Sequence, residues 1–179
     1  MCIRDRLPYH SIPDYPEDYS AGSVVSRTID GLGYRYYWAT EGLREADLKY
    51  KPSEEGRDVE HTLEHIHGLS DVILNATANK PNIRPSDFGE MDFEKMRAKT
   101  LKNLRQASKN ISGKSPAEIE KMKVVFQRGE NKSDFPFWHL LNGPIADALW
   151  HAGQIVSFRR SSGNPLNSKV NVFMGHTKH

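Results

Sequence analysis

An all-α fold, with its helices packed as a bundle, is what this sequence predicts. Three observations carry the prediction. Apolar residues recur at steps of three and four in four separate segments. Prolines, glycines and helix-capping residues punctuate the chain between those segments. The 179 residues suffice for one domain with a real core, and no internal repeat or second core is found.

Composition narrows the class. Hydrophobic residues make up 37% and charged residues 27%, with a net charge of +2, which fits a folded globular chain and argues against a strong polyanion binder. No run of about 18 apolar residues occurs, so no membrane span is expected. Cys2 is the only cysteine, which excludes an internal disulfide and a cysteine-based zinc site. A cytoplasmic location is expected on that ground. Met1–Arg6 lacks the apolar core of a signal peptide and matches nothing in the periodic pattern. It reads as a gene-start or assembly artefact.

Residues 1 to 19 form a leader, extended and rich in proline, with Pro8, Pro13 and Pro16. The first helix is expected over Ala21 to Leu43, where Val25, Ile29, Leu32, Tyr36, Ala39 and Leu43 hold the period. Gly31, Gly33 and Gly42 weaken it by up to about 1 kcal/mol each, so packing must hold it. Small residues there let another helix come close or leave room for a ligand. Tyr34, Tyr36, Tyr37 and Trp38 are read as packing on two sides of this helix rather than as a ligand pocket.

A polar loop with Pro52 and Gly56 follows, and Asp58 is placed to cap a second helix that runs to about Ala78. Val59, Thr62, Ile66, Leu69, Ile73 and Ala76 form its apolar stripe. His65 borders the stripe, His61 lies one turn earlier and nearer solvent, and His67 is read as a surface residue. After a loop with Pro81, Pro85 and Gly89, Asp92 caps a third helix with a stripe of Phe93, Met96, Thr100, Leu104, Ala107 and Ile111. The Lys and Arg of this helix are read as a solvated face, so no nucleic-acid partner is expected.

Ser115-Pro116-Ala117-Glu118 is a capping box that starts a short helical piece ending before Val124. Val124 to Phe126 is a brief extended segment and Gly129 to Asp134 a turn. The last long helix is expected over Phe135 to Arg160, kinked or broken at Pro144. Arg159 and Arg160 complement the dipole of its last turn, and Gly163 and Pro165 end it. Residues 166 to 179 form a tail whose Val170, Val172 and Phe173 are expected to pack back on the helices.

One position in the last helix does not suit a core seam. Phe137, Leu141, Pro144, Ala148, His151, Ile155 and Phe158 share a stripe, and His151 stands where a leucine would. Asp147 is four residues earlier and so its neighbour on one face. Polar side chains looking into a core cost a few kcal/mol unless partnered. A bound metal is one partner; a buried Asp147–His151 pair without metal is the other.

The order of helices, with Gly42-Leu43-Arg44-Glu45-Ala46-Asp47-Leu48, Tyr50-Lys51-Pro52 and the closing Asp147-Ala148-Leu149-Trp150-His151-Ala152-Gly153-Gln154, resembles the DinB-like superfamily of putative metalloenzymes. The resemblance covers about residues 20 to 165. It implies an antiparallel four-helix bundle with a divalent-metal site. One histidine would come from the second helix and two from a closing His-x-x-x-His-Arg-Gly-Gln motif.

Carried over, the ligands fall on His65 and His151, with Asp147 in place of the motif's first histidine and Ala152 in place of its arginine. A carboxylate oxygen and an imidazole nitrogen bind the same borderline metals. Zinc, nickel, iron or manganese would suit two histidines and one carboxylate. Gln154, one turn past His151, would orient a ligand, and His61 is an additional candidate ligand.

The resemblance implies a metal-dependent enzyme of the thiol S-transferase type, in which the metal stabilises the thiolate of a low-molecular-weight thiol. A small-molecule substrate and a homodimer belong to the same expectation. The alternatives are a metal-dependent hydrolase and a non-catalytic, stress-associated bundle that binds a metal or ligand.

Overall fold

The computed structural model describes residues 7–87 and 89–177. Met1–Arg6, with Cys2 and the question of a gene-start artefact, lies outside the described residues.

Helix α1 (Ala21–Thr40) starts at Ser20, whose side chain accepts the Ser23 backbone N–H at 3.3 Å. It ends three residues before the expected Leu43, where Gly42 takes a φ of 68°. Of the three glycines read as weakening α1, only Gly33 is closely approached, and by the leader rather than by another helix. A Cβ on Gly22 would stand 2.1 Å from the Ile111 carbonyl oxygen, and one on Gly33 would stand 2.4 Å from the Tyr9 ring. Tyr9 is buried there, and its hydroxyl donates to Asp30 at 2.8 Å. The proline-rich leader is therefore docked on α1. Tyr34, Tyr36, Tyr37 and Trp38 are all buried in the core.

After the single turn of α2 (Glu45–Leu48), α3 (Val59–Thr77) begins at Asp58, which accepts the His61 N–H at 2.8 Å. Helix α4 (Phe93–Ile111) begins likewise at Asp92, which accepts the Lys95 N–H at 2.8 Å. Helix α5 (Pro116–Glu120) has the capping box read from Ser115 and Glu118. α1 and α3 each pack against α4 on one side and against α7 (Ala146–Ser161) on the other.

The all-α expectation, and the four-helix bundle with it, is corrected: the protein is mixed α and β. Strand β1 (Asn82–Ile83) pairs parallel with β2 (Lys123–Arg128), which pairs antiparallel with β3 (Asn131–Pro136). Gly129, at φ 58°, opens the two-residue hairpin loop between β2 and β3, as a type II′ turn requires. The chain expected to be a turn over Gly129 to Asp134 is thus mostly strand, and Phe135 belongs to it. The reason is burial. Every residue of β3 is exposed, so its side chains alternate nothing, and only the pairing with β2 makes it a strand.

The last helix is also three pieces rather than one run from Phe135. They are α6 (Trp138–Leu140), a π-helical turn over Leu141–Ile145 that contains Pro144, and α7. The wider turn accommodates the proline's missing donor, so the break expected at Pro144 takes this form. Strands β4 (Val170–Asn171) and β5 (His176–Thr177) pair as a small hairpin over the leader. Ile12 donates its N–H to Gly175 O at 2.7 Å. The expectation for the tail holds for Val170, which packs on the core, but Val172 and Phe173 are exposed at the hairpin tip.

Candidate metal centre

The π-helical turn sets the start of α7, so that Asp147 and His151 face α3 across the helix pair. Asp147 lies between two imidazoles. Its Oδ2 is 3.0 Å from His65 Nε2, and its Oδ1 is 3.2 Å from His151 Nε2. The two rings meet edge to face with centroids 4.8 Å apart. The three candidate donor atoms all lie within 4.8 Å of one another. This group of two nitrogens and one carboxylate can hold a metal ion.

Donors held about 2.1 Å from one metal stand roughly 3.0–3.4 Å apart at octahedral or tetrahedral angles. The two contacts to Asp147 run to different oxygens and are hydrogen-bond distances as well, so an ion would enter by replacing those bonds. Gln154 adds a constraint on protonation. Its Oε1 is 2.6 Å from His151 Nδ1, so Nδ1 carries the hydrogen of that bond. His151 Nε2 is then the ring atom that faces the Asp147 carboxylate, where a bound cation would take its lone pair. The side chains of His65 and Asp147 remain 38% and 37% exposed, so solvent reaches the centre.

The other histidines of α3 stand apart from this group. His61 is exposed, and its Nδ1 is 2.7 Å from Asp58 Oδ1, the same oxygen that caps α3. The Asp58 carboxylate raises the pKa of His61. His67 corrects the surface reading. It is 1% exposed, with Nδ1 3.0 Å from Thr100 Oγ1 of α4, and burial lowers its pKa. The stripe read from the sequence was too narrow, because α3 is covered by α4 on one flank and by α7 on the other.

Sequence reasoning missed the role of Arg159 and Asp47 at the far end of α7. Arg159 Nη1 donates to the carbonyls of Trp38, Ala39 and Glu41 at 3.0–3.1 Å, closing the open end of α1. Arg97 of α4 donates to the Tyr37 carbonyl of the same helix end. Fully buried Asp47 accepts from Arg44, Ser162 and Asn164. The Arg44 guanidinium beside it holds its carboxyl well below the usual carboxylate range. A basic residue in a last helical turn reads as dipole complement, so no local signal marked Arg159 as a cap for another helix.

Compared with known proteins, the chain matches no family model and no curated protein. Among the described residues, no helix is long and apolar enough to cross a membrane.

Proposed function

We propose that the chain is a divalent-metal-dependent enzyme of the thiol S-transferase type, with His65, Asp147 and His151 holding the metal. The observation that carries this reading is the donor set itself. Two imidazole nitrogens converge on one carboxylate at 3.0 and 3.2 Å, and Gln154 fixes the hydrogen of His151 on the far side of its ring. The resemblance of the closing motif to DinB-like metalloenzymes supports the same assignment.

A bound zinc, nickel, iron or manganese ion would supply a Lewis acid that keeps a thiol deprotonated at neutral pH. Three protein ligands leave coordination positions open, as a catalytic site requires. Gln154 orients His151, and Asp147 sets the charge of the site. No serine or cysteine among these residues offers a covalent nucleophile, so the nucleophile comes with the substrate. Metal-activated water is the second reading, and the solvent exposure of His65 and Asp147 favours it.

Elemental mass spectrometry on untagged protein purified without chelator tests the site. About one equivalent of metal, lost in both His151→Ala and Asp147→Ala, is the expected result. Protein that stays metal-free after incubation with each of the four ions makes His151 a core histidine and leaves a binding or structural role as the better reading. Product analysis with thiols and with ester substrates then separates transfer from hydrolysis.

A further inference from the structure

Helix α7 buries one face, with Ala148, Ala152, Ile155 and Arg159, and leaves the opposite face in solvent. Along that outer face stand Ala146, Trp150, Gly153 and Ser157. Three of the four are small. Trp150 is the exception, and it is 72% exposed. An indole is the largest apolar side chain and is ordinarily drawn into a core or a contact. Among the described residues the Trp150 ring stacks on no other ring and its N–H meets no acceptor.

Its place on the helix ties it to the metal centre. Trp150 stands three residues after Asp147 and four before Gln154, so the three side chains are neighbours on the helix surface. At about 100° per residue, Trp150 lies roughly 60° around the helix from Asp147, on its outer side. Long side chains on a helix lean towards its N-terminus and cover the turn before their own Cα. For Trp150 that is the turn that carries Asp147. Asp147 and His65 are themselves partly open, so the indole flanks donors that solvent reaches. The helix surface on either side of it is empty. A Cβ on Gly153, one turn later, or on Gly143, two turns earlier, would meet no atom within 4 Å.

We propose that Trp150 is the specificity wall of the metal centre, and that its ring receives a flat apolar group, an aromatic ring above all, which the substrate carries beside its metal-binding atom. Such a group meets the indole stacked or edge to face while the metal fixes the other end of the molecule. The inference rests on the metal reading above and adds to it the character of the substrate's neighbouring group. It is the same for a thiol and for a substrate cleaved by water, because the indole meets the substituent and not the reacting atom.

Two hydroxamates test it, on protein loaded with whichever of zinc, nickel, iron or manganese it retains. Acetohydroxamate and benzohydroxamate chelate a metal through the same two oxygens and differ in a methyl against a phenyl group. Calorimetric titration gives the affinity of each. The ratio of the two affinities, benzohydroxamate over acetohydroxamate, is expected to fall by about three- to ten-fold in Trp150→Ala, the worth of one aromatic contact. Trp150→Phe, which keeps an aromatic face, should retain most of the ratio. Metal uptake and the acetohydroxamate affinity should be the same in all three proteins, which also shows that the variants fold.

An unchanged ratio in Trp150→Ala would overturn the wall and leave the metal reading in place. An unchanged ratio with a smaller mass in sedimentation would make the indole a contact between chains instead. Parent protein that takes up no metal, or takes it up and binds neither hydroxamate, would overturn both readings, and differs from the first failure by the absent uptake or the absent binding.

Discussion

Two polar clusters tie α7 to its neighbours, one at each end, and they are built on opposite terms. At the C-terminal end, Asp47 and Arg159 are almost without solvent contact, and their polar atoms have partners in the backbone or in Arg44, Ser162 and Asn164. At the N-terminal end, His65, Asp147 and His151 are partly open, and three donor groups converge. Complete satisfaction with full burial marks a joint. Convergence with an opening marks a site. The contrast separates structural from functional polar residues on a single helix, and it can be broken experimentally.

The largest effect belongs to the joint. Arg159→Met strands three carbonyls at the end of α1 and leaves buried Asp47 short of a nearby cation. We expect a loss of about 3–5 kcal/mol in urea unfolding, the range for breaking a buried charged network from one side. Metal uptake by the folded fraction should be unchanged. If the variant is as stable as the parent, the joint is not what holds α1, α2 and α7 together.

Acid should reveal the same joint. The folded Asp47 carboxyl lies below its unfolded value near 3.9, so its contribution is full above about pH 4 and is lost as pH falls through the depressed folded value. The unfolding midpoint followed from pH 7 to pH 2.5 should fall less steeply at the acid end in Asp47→Asn than in the parent. Parallel curves would assign acid sensitivity to other carboxylates.

The open cluster responds to ligand instead. An ion present at about 100 times its dissociation constant should stabilise the parent by about 2.7 kcal/mol, and chelator should reverse the shift. Asp147→Ala should abolish the response. A thermal shift that persists in Asp147→Ala would move the ion elsewhere.

Gln154→Ala should keep the metal but bind it about 10- to 100-fold more weakly, because His151 loses the contact that fixes its hydrogen. Competition with a chromophoric chelator measures this. The smallest effect is expected at His61, exposed and paired to Asp58. His61→Ala should change stability by no more than about 0.5 kcal/mol and leave metal stoichiometry intact. A loss of metal there would make His61 a ligand that closes on binding.

These residues also show where legibility ends. Asp58, Asp92 and the Ser115–Glu118 box mark helix starts correctly because a cap bonds within three residues of itself. The i, i+4 pairing of Asp147 with His151 follows in the same way from helix geometry. The sequence by itself therefore determined the starts of the helices, the apolar stripes and two members of the candidate centre. His65 joins them across 82 residues: its place beside the apolar stripe marked it as the inward histidine, the family resemblance named it a ligand, and only the fold set it beside Asp147.

Only the tertiary structure decided the rest. It buried His67 under α4, paired the fully exposed β3 with β2, and sent Arg159 to the end of α1. In each case the deciding partner is distant along the chain. Period and capping are energies among near neighbours, which a linear sequence displays directly. Burial, strand pairing and charge satisfaction are energies among residues that only folding brings together.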